Sequence, residues 1–279
     1  MIIGLVAMYM PNKNEINNID KYIKNLDYCF LLDDSAKDNS EVVDGLIKKY
    51  PDKVEYHLNV ENMGLCKSVN EGFKLAIGKG ADWILVMNPD GTFENNAIEI
   101  FKSYIGTNNT DEVAILCPQY NFDRHPRTAK KGISMIEYTD MAGSLYNAKI
   151  LKKLGYYDVN TYFYGLDSEY CLRIKKTGYK IVRCNEAVLN HHPAHTEYIK
   201  LGNLVFKYGK DKPERYYYQF RSGFYIHEKY HDIKQDVFMF YKFLKVLLLF
   251  DNKREYLKCI QEAKRDAKAK YYGKRKQKG

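Results

Sequence analysis

Residues 88–91 (Asn-Pro-Asp-Gly) follow a strand-like apolar run, Trp83–Met87, and place one carboxylate, Asp90, in a tight turn. At the carboxyl end of an α/β strand, such a turn faces the crevice where ligands bind. A carboxylate held there suits a hard divalent cation that is shared with a diphosphate. All four residues also favour β-turns, so a plain turn is the competing interpretation.

Two further acids, Asp33 and Asp34, end the second predicted strand. Paired acids at a strand end can accept hydrogen bonds from a ribose or from the N–H of a pyrimidine base. They can equally form an N-cap cluster for a helix that we predict from Ser40. Neither of the first two strands is followed by Gly-x-Gly-x-x-Gly, and no Walker A lysine motif occurs. A dinucleotide-binding turn or a P-loop is therefore not expected.

A helix predicted over residues 64–77 contains unusual residues. Asn62 can cap this helix and Gly64 opens it. Asn70 and Gly72 are unfavourable in a helix interior. They indicate either the close approach of another group or a poor helix that tertiary packing tolerates.

Strand and helix patterns alternate through the first half of the chain, which indicates a mostly parallel sheet covered on both faces. We predict strands at 2–8, 28–32, 54–58, 83–87 and 113–117, and helices at 14–25, 40–50, 64–77 and 94–104. After residue 118 we predict short irregular strands and a loop over 119–140, helices at 147–154 and 167–177, and short strands at 179–183 and 187–191. From about residue 211 the pattern is helical to the end.

Charge is unevenly distributed. Residues 1–200 contain 24 Lys/Arg and 26 Asp/Glu, whereas residues 201–279 contain 20 and 9. Residues 237–250 are strongly apolar, but they are shorter than the roughly 20 residues that a membrane span needs. A basic, apolar region of this kind can lie on a membrane surface or pair two copies in a homodimer. It could also attract nucleic acid, but no nucleic-acid-binding module is recognised and none is expected as a partner.

Six scattered cysteines without a Cys-x-x-Cys pair, and no secretory signal, favour reduced and buried thiols in a cytoplasmic protein. Together with the basic region, they predict a cytoplasmic location at the inner face of the cell membrane.

The ordered run Asn59-x-x-Asn62-x-Gly64, Asn70-x-Gly72, Ala76, Trp83 and Asn88-Pro89-Asp90 resembles the family 2 glycosyltransferases. The resemblance is strongest to bacterial rhamnosyltransferases of surface-polysaccharide assembly. It continues in later segments and covers about residues 1–230. These segments contain Ala142-Gly143-Ser144, Leu166-Asp167-Ser168-Glu169-Tyr170-Cys171-Leu172-Arg173, Gly178-Tyr179 and His191.

The resemblance implies a GT-A fold in three parts. Residues 1–118 would bind the nucleotide-sugar, 119–210 the acceptor, and 211–279 would form a helical, basic appendage. Donor contacts are implied for Tyr9, Pro11, Asp33, Asp34, Asn62, Gly64, Asn70 and Asn88. Asp90 and His191 would bind Mn²⁺ or Mg²⁺, and Gly143, Ser144, Glu169 and Tyr170 would contact the acceptor.

Asn88 and Pro89 depart from the family's usual metal motif, which makes Asp90 the principal metal ligand. Asp167, at the start of a predicted helix, would be the general base that takes a proton from the acceptor hydroxyl. The competing interpretation is an acid that merely stabilises the helix dipole. His191, His192 and His195 offer a zinc site as an alternative, although no Cys or acid stands beside them at ligand spacing.

The resulting prediction is an inverting transferase that moves L-rhamnose from dTDP-rhamnose to a polysaccharide or lipid-linked acceptor. A UDP-sugar donor (galactofuranose, glucose or N-acetylglucosamine) is the nearest alternative. A nucleotidyltransferase and a non-catalytic membrane-surface protein are the alternatives from other classes. The segment 213–221, rich in Tyr and Arg, is predicted to bind an isoprenoid-diphosphate acceptor or to be a packing helix.

Overall fold

The computed structural model describes residues 1–94, 96–122, 128–191, 195–201 and 204–276. The chain forms two compact units. The first consists of Met1–Tyr157 and Tyr170–His192, and the second of Asp158–Glu169 and Pro193–Gly279. The helix α6, Leu166–Thr177, begins in the second unit and continues into the first.

The first unit is built on one mixed sheet with helices packed against it. Its strands are β1 (Ile2–Met8), β2 (Tyr28–Asp33), β3 (Val54–Leu58), β4 (Trp83–Met87), β5 (Thr92–Phe93), β6 (Val113–Asn121), β7 (Ile133–Ile136), β8 (Ser144–Asn147) and β9 (Lys180–Asn190). Its helices are α1 (Lys13–Ile23), α2 (Ser40–Lys49), α3 (Leu65–Gly78), α4 (Ala97–Thr107) and α5 (Ala148–Leu154), with most of α6. The predicted α/β fold is thereby confirmed.

The strand order is β3-β2-β1-β4-β8-β6-β9-β5, with β7 paired to β9. Strands β1 to β4 are parallel to one another, whereas β8 runs antiparallel to β4 and to β6. The chain therefore leaves β1 towards β2 and β3, and then returns to β4 on the other side of β1. In open α/β sheets, such a reversal between two neighbouring strands is where ligands bind.

The buried strands are apolar because both of their faces are covered. Every residue of β1 and of β4 is buried. Helix α3 approaches the sheet so closely that a Cβ on Gly72 would lie 2.4 Å from Leu32 Cδ1 and 3.1 Å from Leu5 Cδ1. The close approach predicted at Gly72 is confirmed, and the approaching group is the sheet.

The structure differs locally from the predictions. Strand β8 lies between β4 and β6 and was not predicted, and the two short strands predicted at 179–183 and 187–191 form the single strand β9. A register shift of β9 against β6 at Pro118/Gln119 explains why the pattern looks interrupted. Asn62 does not cap α3, because the N-cap is Gly64 with φ of 84° and the Asn62 amide donates to the Asp34 carbonyl instead.

The second unit contains a hairpin, β10 (His195–Leu201) and β11 (Leu204–Lys210), and three helices, α7 (Pro213–Tyr230), α8 (Ile233–Leu249) and α9 (Lys253–Lys268). A short 3₁₀ turn, Val159–Thr161, precedes α6. The helices enclose an aromatic core that includes Tyr216, Tyr217, Phe220, Phe250 and Tyr256. The helical prediction from residue 211 is confirmed. Among the described residues, none of the helices has the length and apolar character needed to cross a membrane.

All six cysteine side chains are buried, as predicted. Burial raises the pKa of the Cys29 and Cys117 thiols to about 12.

Candidate active site

The carboxyl ends of β1, β2 and β4 meet at one edge of the first unit's sheet. Tyr9, directly after β1, is 64% exposed, whereas Pro11 is buried. Two hydrogen bonds join the loops after β1 and β2. The Asp34 N–H donates to the Met8 carbonyl at 3.0 Å, and the Met10 N–H donates to Ser35 Oγ at 2.6 Å. The predicted donor residues at these strand ends are therefore brought together.

Asp33 is completely buried, and its carboxylate is used by neighbouring side chains. It accepts hydrogen bonds from Asn39 Nδ2 and from the Tyr56 hydroxyl, both at 2.8 Å, and from Ser35. Burial is the main cause that raises the pKa of Tyr56 to about 12, and the bond to Asp33 adds to it. The N-cap of α2 is Asn39, whose side chain makes no capping hydrogen bond. Asp33 therefore does not form the predicted N-cap cluster before Ser40.

Asp34 organises the start of α3. Its two carboxylate oxygens accept from the backbone N–H groups of Met63 and Gly64, each at 2.9 Å, and from Asn59 Nδ2 at 2.9 Å. This carboxylate satisfies the N–H of the N-cap Gly64, which the helix start leaves without an intrahelical acceptor, and it complements the helix dipole. Asp34 is only 7% exposed, so it offers little surface to a nucleoside. Its contact with a nucleoside stays a prediction.

Asn70 also has an internal task. Its amide donates to the Tyr157 carbonyl at 2.9 Å, and its oxygen accepts from the Tyr157 N–H at 3.0 Å. Both polar ends of Asn70 are thus used to hold the chain after α5, which explains a residue that is unfavourable inside a helix. These contacts do not support direct donor binding by Asn70.

Asp90 and His191 lie side by side, as their predicted shared role requires. His191 Nδ1 is 3.8 Å from Asp90 Oδ1. The imidazole side chain is 8% exposed, whereas the Asp90 side chain is 49% exposed. A solvent-accessible carboxylate therefore stands against a buried imidazole at the strand edge.

The backbone explains this juxtaposition. After β4 the chain turns, with the Gly91 N–H donating to the Asn88 carbonyl, and Asn18 Nδ2 donates to the Pro89 carbonyl. Strand β5 then pairs antiparallel with the end of β9, which places Thr92 opposite Asn190. His191 follows directly, and Asn88 is half-buried in the same turn.

The Asp90–His191 pair fits a Mn²⁺ or Mg²⁺ that takes its other ligands from a diphosphate. One carboxylate oxygen and one imidazole nitrogen are donors that Mn²⁺ accepts, while Mg²⁺ prefers oxygen. Within the described ranges, no group of three or more His, Cys, Asp or Glu side chains is arranged to hold a metal. His192 lies outside the described residues, and His195 is exposed in the second unit.

The predicted acceptor residues of the first unit are interior. Gly143 has φ of 76°, and a Cβ there would lie 3.0 Å from Leu189 Cδ2. The Ser144 side chain is fully buried and donates to the Asp140 carbonyl at 2.7 Å. Tyr170 is 1% exposed and packs against the rings of Tyr146 and Tyr157. Direct acceptor contact by the Ser144 and Tyr170 side chains is therefore not supported.

Asp167 lies in the first turn of α6, as predicted, and its side chain is half-buried. Its Oδ1 accepts from the Ser168 N–H at 2.8 Å. The preceding Gly165 has φ of 82°, and a Cβ there would lie 3.1 Å from Ser222 Cβ and 3.2 Å from Ile226 Cδ1. Only glycine suits this combination of conformation and contact.

One face of α7 holds the segment 158–169 that leads to and carries Asp167. Ser222 Oγ donates to the Thr161 carbonyl at 3.0 Å, and the Tyr225 hydroxyl donates to Asp158. Lys229 bridges Asp158 at 2.6 Å and Glu169 at 2.9 Å. The Tyr230 hydroxyl donates to Glu169 at 2.6 Å. This face consists of Ser222, Tyr225, Ile226, Lys229 and Tyr230.

The predicted acceptor contact Glu169 is completely buried, and its charge is balanced by Lys229. Burial alone would lower the pKa of Lys229, but hydrogen bonds to Asp158 and Glu169 raise it well above its usual value. Burial would raise the pKa of Asp158, yet hydrogen bonds from Lys229 and Tyr225 lower it below the ordinary value of an aspartate. Glu169 therefore positions the start of α6. We did not predict these partners, although Ser222, Tyr225, Ile226, Lys229 and Tyr230 recur at helical spacing.

The segment 213–221 is a packing helix. Tyr216, Tyr217 and Phe220 belong to the aromatic core. Arg221 is completely buried and donates to the carbonyls of Tyr272 and Gly273 at 2.8 and 2.6 Å. The diphosphate-binding alternative is not supported for Arg221.

The chain is similar to known proteins in sequence and in fold. The family model described as "Glycosyl transferase family 2" matches residues 8–165. The dTDP-rhamnosyl transferase RfbF of Shigella flexneri is 21% identical over 279 residues, which covers 92% of each chain. The solved structure of GalNAc-T7 with UDP, GalNAc and Mn²⁺ has a TM-score of 0.65 at 13% identity. That match covers 97% of this chain, which spans 58% of GalNAc-T7.

These matches define a glycosyltransferase with a GT-A fold. The chain belongs to glycosyl transferase family 2, since the family match covers more than half of it. The predicted family and fold are thereby confirmed.

Proposed function

We propose that this glycosyltransferase transfers L-rhamnose from dTDP-rhamnose to a polysaccharide or lipid-linked acceptor, with inversion at the anomeric carbon. The similarity to dTDP-rhamnosyl transferase RfbF along nearly the whole chain supports this donor. The observation that carries the proposal is the pairing of Asp90 with His191, 3.8 Å apart, beside the reversal of strand order between β1 and β4.

At the donor end, Asp90 and His191 would hold a Mn²⁺ or Mg²⁺, which when bound neutralises charge on the departing diphosphate. Tyr9 is the exposed aromatic side chain of the same strand edge and would lie against the nucleoside. Asp33 and Asp34 would act mainly by fixing the loops around it.

At the acceptor end, Asp167 would accept the proton of the attacking hydroxyl. The hydroxyl oxygen forms the new bond to the sugar's anomeric carbon while the bond from that carbon to the diphosphate oxygen breaks. The diphosphate leaves with the electron pair. One displacement of this kind inverts the anomeric configuration and needs no covalent sugar–enzyme intermediate.

Donor identity is tested by incubating the full-length protein with dTDP-rhamnose or individual UDP-sugars, Mn²⁺ and a lipid-linked saccharide acceptor. Products are analysed by mass spectrometry and NMR. We expect a product whose anomeric configuration is opposite to that of the donor sugar. It should form from dTDP-rhamnose, and EDTA should abolish its formation. Transfer from a UDP-sugar alone would replace the donor assignment, and a retained configuration would overturn the inverting mechanism.

The base is tested with Asp167→Asn. We expect transfer to be almost abolished while dTDP binding, measured by calorimetry, is kept, because the amide cannot take a proton. Asp251→Asn is the matched control, since the Asp251 side chain is 92% exposed in the same unit. Full transfer by Asp167→Asn would remove Asp167 as the base.

A further inference from the structure

Helix α8 presents a line of large apolar side chains to solvent. Its members recur at helical spacing over the whole helix and are from 55% to 77% exposed. We call this line the α8 stripe, and it consists of Ile233, Val237, Phe240, Tyr241 and Leu248. The opposite side of α8 packs on the second unit's core through Met239, Phe243 and Val246. Burial in this unit therefore accounts for one face of α8 but leaves the stripe uncovered.

A second apolar surface belongs to the adjacent hairpin. Along two antiparallel strands, paired residues share a face. Tyr198 is paired with Lys207, and Lys200 with Val205, so these four side chains lie on one face, and all four are exposed. This face carries one aromatic ring, one valine and two lysines, a composition that is typical of side chains at a membrane–water interface. We call it the hairpin face.

The hairpin and α8 are fixed to each other. Lys245 Nζ donates to the Gly209 carbonyl at 2.7 Å, and the Tyr208 hydroxyl donates to the Leu249 carbonyl at 3.2 Å. Tyr208 also stacks on Phe250, which follows α8. The two exposed surfaces thus belong to elements that contact each other in the second unit.

Charge decides between the partners that could cover these surfaces. Residues 201–279 contain 20 Lys/Arg and only 9 Asp/Glu. A second copy would bring two such basic regions together, whereas an anionic lipid surface attracts them and accepts apolar side chains at the same time. A water-exposed apolar line of this length is otherwise uncommon in a soluble protein.

We propose that the α8 stripe and the hairpin face bind the surface of an anionic lipid bilayer, with α8 lying along it. The stripe would enter the boundary between headgroups and acyl chains, while the hairpin lysines stay at the level of the headgroups. This proposal names the surface that binds the bilayer. It is independent of which sugar the enzyme transfers.

The test is co-sedimentation of the full-length protein with vesicles, either of phosphatidylcholine alone or of phosphatidylcholine with phosphatidylglycerol. We expect strong binding only to the anionic vesicles, weakened by salt. Phe240→Ser/Leu248→Ser should reduce the bound partition by about tenfold or more, because two apolar side chains no longer leave water. Both side chains are exposed, so we expect this variant to fold like the wild type.

Ile133→Ser/Met135→Ser is the matched control, because it removes two exposed apolar side chains from β7 in the first unit. We expect it to bind vesicles like the wild type. Vesicle binding that is unchanged in Phe240→Ser/Leu248→Ser would overturn the proposed surface. A further contrary outcome is a wild type that fails to bind vesicles and forms a concentration-dependent dimer in sedimentation experiments. If Phe240→Ser/Leu248→Ser abolishes that dimer, the stripe binds a second copy and the proposal is overturned.

Discussion

Asp34 and Asp90 follow two parallel strands of the same mixed sheet, yet their surroundings are opposite. Asp34 is 7% exposed and accepts hydrogen bonds from two backbone N–H groups and one amide. Asp90 is half exposed and lies beside a buried imidazole. A carboxylate whose oxygens are already used by the chain builds a loop, whereas one that reaches solvent beside an imidazole is available to a cation. Position at a strand end alone does not distinguish these tasks.

The largest expected effect comes from Asp90→Asn. Loss of the anionic ligand should lower the transfer rate by about a hundredfold or more, because stabilisation of the leaving diphosphate is lost. The free energy of unfolding should change by less than about 0.5 kcal/mol, as expected for a surface position. Initial rates at a series of Mn²⁺ concentrations and urea unfolding measure the two effects. If Asp90→Asn transfers sugar at the wild-type rate at every Mn²⁺ concentration, Asp90 does not bind the cation.

Asp34→Asn should show the reverse pattern. The amide places donors against N–H groups that need an acceptor, so we expect a loss of about 2–3 kcal/mol in the free energy of unfolding. Urea unfolding and calorimetric titration with dTDP, the latter at low temperature where the variant stays folded, separate stability from binding. Unchanged stability combined with lost dTDP binding would make Asp34 a nucleoside contact, as the sequence alone suggested.

Lys229→Met extends the comparison to the second unit, where a buried acid is balanced by a charge. Solvent reaches part of Lys229, so we expect a loss of about 1–2 kcal/mol in unfolding free energy, less than for a fully buried pair. The transfer rate should also fall, because the segment carrying Asp167 loses an anchor. Lys242→Met is the control, since Lys242 donates to the neutral Gln219. Wild-type rate and stability in Lys229→Met would show that this ion pair positions nothing.

The smallest effect is a pH dependence at Asp158. Its pKa is lowered below the ordinary value of an aspartate in the folded protein, so the ionised form adds stability above the unfolded-state pKa, and this stability is lost as pH falls through the folded-state pKa. Asp158→Asn should therefore flatten the decline in unfolding free energy below about pH 4. The pKa of Asp20 is also lowered, chiefly by its bond from Lys49, but this pair is on the surface. Asp20→Asn should flatten the decline less, and an equal effect of both variants would contradict a special role for Asp158.

The sequence predicts the first half of the fold well because strands such as β1 and β4 are continuous apolar runs, and helices such as α3 show a clear apolar face. It does not predict β8, whose four residues carry no period long enough to recognise. Strands β10 and β11 were also missed. They pair mainly with each other, and exposed positions on both leave no regular apolar alternation.

Site residues were predicted by their order along the chain, which locates loops but not the direction of side chains. Asp90 and His191 meet because β5 pairs with the end of β9, a long-range contact that spacing cannot reveal. Ser144 and Tyr170 belong to the motifs, yet their side chains pack inside. A motif residue can therefore support the site without touching a ligand.

Mn²⁺ binding followed by electron paramagnetic resonance, with and without dTDP, tests the central claim most directly. The wild type and Asp34→Asn should both bind Mn²⁺ more tightly when dTDP is present, whereas Asp90→Asn should lose at least about tenfold in that affinity, or about 1.4 kcal/mol. Equal Mn²⁺ affinity in the wild type and Asp90→Asn would contradict the assignment of the donor cation to Asp90.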